Sequence, residues 1–144
     1  MMFLRIDPQN GLPIFEQIAR QLKYAIASGV LPEPGRVPSI RELAKRAAVN
    51  PNTVARAYRE LQAEGVLGTL RGEGLFVTEQ AQAYCQEDRR RLIGERLRQT
   101  LREAVESGLR TDELRRLLDE EFQAAQADAQ NSTPSATSAE GDSE

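Results

Sequence analysis

Two short amphipathic helices separated by a break of about three residues constrain this chain more than any other feature. Ser39 and Glu42 are spaced as a capping box, and Ile40, Leu43, Ala44 and Ala47 form one apolar face behind them. Ala48, Val49 and Asn50 interrupt the run. Asn50 then suits an N-cap with Pro51 first inside, and Val54, Ala57, Tyr58 and Leu61 recur at i, i+3, i+4 and i+7 until Gly65. Two helices this close, the second opening on a polar cap, read as a helix-turn-helix.

The flanks extend that reading. Over residues 13–28, Phe15, Ile18, Leu22, Ala25 and Ile26 fall at helical spacing, with Pro13 suited to the first helical position and Gly29 to the stop. Upstream, FLRID alternates apolar and polar residues and suits a short edge strand, whereas LPEPGRVP reads as a loop. After Gly65 the period changes. VLGTL, the tip RGEG and LFV read as a two-stranded hairpin, which directly after a helix-turn-helix is a wing. Farther on, Ile93, Leu97, Leu101 and Val105 repeat in steps of four. Ser107 and Gly108 break the run, and Leu114, Leu117, Leu118 and Phe122 describe another helix. The expected fold is mostly α with a small β-hairpin wing: a winged helix-turn-helix over residues 1–78, a short C-terminal helical pair over 79–127, and a disordered acidic tail over 128–144.

Composition removes whole classes of function. The chain has 144 residues, no His and one Cys. Ser-His-Asp and Cys-His catalysis, His-ligated metals and Cys-cluster metals are therefore excluded, and neither an enzyme nor a cofactor is expected. The lone Cys85 fits a reducing cytoplasm and reads as a partly buried thiol, with a redox role the outside reading. No membrane contact is expected, since no apolar stretch approaches the ~18 residues of a span, and the start, MMFLRIDPQN, does not read as a secretory signal. The net charge of −3 hides an asymmetry. Residues 1–78 carry 10 Lys+Arg against 7 Asp+Glu, while residues 79–144 carry 9 against 15. The basic excess lies where the helix-turn-helix lies, and the domain is the right unit for asking about nucleic acid.

On a wheel of about 100° per residue, Asn52, Arg56, Arg59 and Ala63 fall opposite the apolar side of the second helix, with Thr53 flanking. Those side chains suit a major groove: Asn can pair with adenine and Arg can bond bidentately to guanine. Arg41 lies near the positive end of the preceding helix, where a cation is disfavoured unless a phosphate is close, so it reads as a backbone contact. Arg36 is a weaker candidate for the same role. Ser39 and Asn50, at the two helix starts, join the candidate DNA-contacting set. In the wing, Gly72 and Gly74 allow close backbone approach and Arg71 supplies charge for a narrow minor groove.

The string GRVPSIRELAKRAAVNPNTVARAYRELQAEGVLGTLRGEGLFV resembles the winged helix-turn-helix of the GntR regulators, with PSIRELA, NPNTVARAYRELQAEG and GEGLFV in order. The likeness covers roughly residues 8–78. The opening DPQNGLPIFEQIARQLKYAI and the short C-terminal segment are similar to the YtrA-like subfamily, whose members carry only a pair of helices after the DNA-binding domain. The resemblance implies a homodimeric repressor that binds double-stranded DNA at an inverted repeat, often to control an ABC transporter operon, and leaves room for an unknown small-molecule effector. Residues 79–127 are too few for the family's larger effector domains, including the metal-binding type that needs His.

Two positions depart from the family pattern. Ala48 stands where Gly is usual, and a left-handed Ala would cost ~1 kcal/mol, so the turn is expected to adjust. Glu73 stands where a basic wing residue is common, which lowers the affinity expected of the wing. The apolar excess of the last two helices calls for cover, and a two-fold dimer through Ile93, Leu97, Leu101, Val105, Leu114 and Leu118 supplies it. The competing reading is a winged-helix module used for protein contact, without DNA binding.

Overall fold

The first three helices form where apolar periodicity and caps agree. In a computed structural model, which describes residues 4–70 and 72–131, α1 spans Ile14–Ala27, α2 spans Ile40–Ala47 and α3 spans Pro51–Ala63. Ser39 Oγ accepts the Glu42 N–H at 3.1 Å, and Asn50 Oδ1 accepts the Asn52 N–H at 2.8 Å. Both helix starts thus satisfy a backbone donor that would otherwise lack a partner. Pro13 is the N-cap of α1 rather than its first helical residue, because its ψ of 145° is extended.

Ile18, Leu22 and Ile26 of α1, Leu43 of α2, and Val54, Ala57, Tyr58 and Leu61 of α3 all lie in one core. Tyr58 buries its ring there and donates its hydroxyl to the Pro38 carbonyl at 2.6 Å, so its polar end is satisfied. Burial pushes the Tyr58 hydroxyl far above its ordinary value, with the Glu42 charge adding to the shift, so it remains a donor.

The wing is a three-stranded antiparallel sheet. Strand β1 is Gly35–Arg36, β2 is Leu67–Leu70 and β3 is Gly74–Val77, in the order β1-β3-β2. The register pairs Gly35 with Val77 on one side and Leu67 with Val77 on the other. The stretch read as a loop therefore contributes a strand: its prolines flank the two residues that pair. Gly68 faces Phe76 across the sheet, and a Cβ there would lie 2.9 Å from the Phe76 ring. A larger residue there would require the Phe76 ring to shift.

The edge strand expected near the N-terminus does not form over residues 4–7. Side-chain amides of α1 stand in for a neighbouring strand. Gln21 accepts the Arg5 N–H at 2.7 Å and donates to the Arg5 carbonyl at 2.6 Å. Gln17 accepts from Asp7 N–H and donates to the Asp7 and Leu12 carbonyls. The alternation of this segment is answered by a helix rather than a sheet.

Helix α4 spans Ala81–Glu106 and α5 spans Thr111–Asn131. The chain divides into two compact units, Met1–Glu95 and Arg96–Glu144, so the division falls inside α4 rather than at residue 78. The first part of α4 belongs to the winged unit. Ala81 and Cys85 are buried in its core, and the Glu33 carboxylate accepts the Gln82 N–H at 2.7 Å, capping the helix start. Gln86 donates to the Ala27 carbonyl at 3.0 Å. Cys85 is fully rather than partly buried, and burial pushes its thiol up to about 11, which leaves it inert near neutrality.

In the second unit, α4 stops at a left-handed Gly108, with Leu109 N–H donating back to the Ala104 carbonyl at 3.1 Å. Helix α5 buries no residue. It runs to Asn131, so residues 128–131, read as tail, are helical; residues 132–144 lie outside the described part. No helix among the described residues is long and apolar enough to cross a membrane.

Candidate nucleic-acid interface

The turn between α2 and α3 sets the placement of both candidate surfaces. Ala48 closes α2 at φ 53° and ψ 45°, left-handed, with Val49 N–H donating to the Ala44 carbonyl at 3.0 Å. The expected adjustment does not happen: the backbone keeps the conformation that a Gly would have favoured. Core contacts on both sides, Leu43 and Ala44 before it and Val54 after it, leave the short connection little choice.

Helix α3 turns Val54, Ala57, Tyr58 and Leu61 inward and leaves Asn52, Arg56 and Arg59 exposed. Thr53 is half-buried on the flank. Asn50 is exposed and its Oδ1 accepts the cap hydrogen bond, while its amide N–H groups point to no partner among the described residues that competes with an outward donor role. Among the described residues no ion pair ties up Arg41, Arg56 or Arg59. Arg56 instead places its guanidinium carbon 3.8 Å from the centre of the Phe15 ring, on α1.

A second group of candidates lines a cleft of about 630 Å³ between the start of α2 and the wing. Arg36, Ser39, Arg41 and Gly74 all border it, alongside Glu42, Glu73 and Leu75. Arg36 reaches Glu73 at 4.0 Å, both side chains well exposed. A pair this open is worth little, and a phosphate could draw the guanidinium away. Glu73 therefore faces a cation rather than standing as an isolated negative charge. Gly72 and Gly74 both have positive φ, and Glu73 N–H donates to the Leu70 carbonyl at 3.0 Å. A tight hairpin turn accounts for both glycines without a ligand. Arg71 lies outside the described residues.

Behind α3 lies a charged cluster that the sequence did not reveal. Lys23 of α1 meets Glu64, just past α3, at 2.6 Å and Asp88 of α4 at 3.0 Å, and Arg91 meets Asp88 at 2.7 Å. Tyr84 donates its hydroxyl to Glu64 at 3.1 Å. Burial works to raise the Asp88 carboxyl, but hydrogen bonds from Arg91 and Lys23 outweigh it and hold the group below its ordinary value. Burial works to lower Lys23, and its two carboxylate partners outweigh that too, raising it. Helical periodicity places each residue on its own helix. It carries no signal for which charges on three separated segments meet, nor for Phe15 meeting Arg56.

The hydrophobic candidates of the C-terminal helices remain uncovered. Ile93, Leu97, Leu118 and Val105 are exposed, Val105 to 72%, and Phe122 to 65%. Leu101 and Leu114 are half-buried.

Comparison with known proteins agrees with this geometry. Residues 14–77 match the family described as "Bacterial regulatory proteins, gntR family". Over 111 residues the chain is 39% identical to the HTH-type transcriptional repressor YtrA of Bacillus subtilis, covering 77% of this chain and 85% of that one. A transcriptional regulator from Oenococcus oeni superposes with a TM-score of 0.64 at 29% identity, over 83% of this chain and 99% of that one. A GntR family transcriptional regulator from Listeria monocytogenes gives 0.65 at 26% identity, over 78% and 97%. With its winged helix, its outward α3 arginines and a relative matched over most of its length, the chain belongs to the GntR family of DNA-binding transcriptional regulators, on its YtrA-like branch.

Proposed function

We propose that this regulator is a cytoplasmic repressor that binds an inverted-repeat operator as a homodimer, with α3 in the major groove. The observation that carries the reading is the outward face of α3, where Asn52, Arg56 and Arg59 stand exposed with no competing ion pair among the described residues. Arg56 and Asn52 read base edges. Arg41 and Arg36, beside the wing cleft, hold phosphates and position the helix without reading sequence. Ser39, Thr53 and the wing glycines approach the backbone. The uncovered helices α4 and α5 supply the dimer contact, which would set two copies of α3 on half-sites related by one two-fold axis. The likeness to a named repressor supports the sense of regulation, and an ABC transporter operon is the expected target.

Selection of binding duplexes from a random pool with the full chain tests this directly. A palindromic consensus is the expected result. Arg41→Ala then weakens binding to every duplex and lowers the salt slope by about one unit, as loss of one phosphate contact does. A pool that yields no enriched sequence overturns the DNA reading and favours the protein-interaction module.

A further inference from the structure

We propose that Phe15 is a specificity-determining positioning residue that acts through Arg56. It touches no base itself. Its ring sets where the Arg56 guanidinium stands before DNA arrives. The inference rests on the reading of Arg56 as a base contact.

Three observations carry it. The Arg56 guanidinium carbon lies over the Phe15 ring at 3.8 Å from its centre, in van der Waals contact with the face. The ring is itself anchored: Phe15 is half-buried, packed against the core that holds Ile18 and Leu22. Arg56 also has a nearer alternative in sequence. Glu60 lies one turn farther along the same face-edge of α3, the usual place for a helical ion pair, yet no ion pair to Arg56 forms among the described residues. The guanidinium rests on a ring instead of a carboxylate.

That choice of partner matters chemically. A carboxylate would occupy the N–H groups that a guanine needs. A ring face attracts the cation through its quadrupole and makes no demand for a carboxylate-type bidentate bond. The long Arg side chain is thereby restrained while its hydrogen-bonding capacity toward guanine O6 and N7 is kept. Restraint before binding reduces the ordering cost at binding, and exclusion of water at the interface strengthens the cation–ring attraction. Phosphate contacts elsewhere do not depend on the ring, so its effect falls on sequence discrimination and leaves general DNA affinity alone.

The test compares the selected duplex with a scrambled duplex of equal length and composition. Full-length wild type, Phe15→Leu, Phe15→Tyr, Arg56→Ala and the double variant Phe15→Leu with Arg56→Ala are measured alongside their melting temperatures. Phe15→Leu is expected to lower the selected-to-scrambled affinity ratio about two- to five-fold with scrambled affinity unchanged. Phe15→Tyr restores the ratio, and Phe15→Leu adds nothing once Arg56 is Ala. In solution, the Arg56 Hδ protons of the wild type carry an upfield ring-current displacement. If Phe15→Leu does not fold, Phe15→Met and that displacement decide in its place. An equal loss on both duplexes, an undiminished Phe15→Leu effect in the Arg56→Ala background, or a gain in ratio on removing the ring each overturns the proposal. Loss of discrimination in Arg56→Ala with none in either Phe15 variant sinks the Phe15 link alone. Unchanged discrimination in Arg56→Ala sinks the base-contact reading and this inference with it.

Discussion

The winged unit and the C-terminal unit are both rich in apolar positions at helical spacing, yet they end differently. In Met1–Glu95 those positions close on one another: Ile18, Ile26, Val54, Ala57 and Leu61 have no exposed surface. In Arg96–Glu144 the same kind of stripe stays open, and α5 buries no residue. Three helices and a sheet have enough faces to enclose a core; a helical pair does not. Periodicity states that a face exists, and only the supply of other elements decides what covers it. Self-sufficiency in one unit and an open apolar stripe in the other are the contrast on which the dimer proposal rests.

The strongest way to break this comparison is to place charge on the open stripe. Leu101→Glu or Leu118→Glu should convert the proposed dimer to monomer and cost roughly 10²–10⁴ in operator affinity, the usual loss when two linked sites become one. The winged unit should stay folded by circular dichroism. Sedimentation equilibrium checks the assembly, and a wild type that is monomeric at micromolar concentration ends the dimer reading.

A second contrast is expected between cores. Leu22→Ala opens a cavity in an enclosed core and should destabilise by about 2–5 kcal/mol in urea unfolding. That loss should not depend on protein concentration. Phe122→Ala removes a larger side chain from an exposed position, and any loss of stability should fade on dilution, because only association would bury that ring. Concentration-independent losses of similar size in both would mean the second unit has a core of its own.

The pH response separates the units as well. Asp88 is held below its ordinary value, so its contribution is complete above about pH 4, where an unfolded Asp ionises, and is lost as pH falls through the folded value. Lys23 is raised, so its contribution is complete below about pH 10 and is lost above. Glu64, Arg91 and Tyr84 face the same cluster. With no His in the chain, melting temperature should be flat from about pH 5 to 8 and drop on the acid side. Asp88→Asn should flatten part of that acid drop. A midpoint near pH 6.5 in the melting profile contradicts this account.

The smallest expected effect lies at the turn. Ala48→Gly should stabilise by up to about 1 kcal/mol, since Gly meets no penalty at φ 53° but gains freedom in the unfolded chain. Differential scanning calorimetry resolves it, and destabilisation would show that the strain at Ala48 is smaller than the unfolded-state freedom that Gly adds.

Much of the candidate interface was legible in the residues themselves. Ser39 and Asn50 cap as their spacing implies, because capping is a local reaction between a side chain and the next turn. The inward set Val54, Ala57, Tyr58 and Leu61, and with it the outward set Asn52, Arg56 and Arg59, follows from the helical repeat alone. The tertiary structure decided whatever depends on partners distant in the chain. Gly35 and Arg36 are a strand only because β3 runs alongside, and residues 4–7 form none: the amides of Gln17 and Gln21 bond the backbone of Arg5 and Asp7. Ala48 has a left-handed backbone between two helices whose flanking residues Leu43, Ala44 and Val54 are held in the core. Lys23 found Glu64 and Asp88, and Arg56 found Phe15, because packing brought separate helices within a few ångströms. Local order is written in spacing, whereas contact between segments is an outcome of how the whole chain closes on its core.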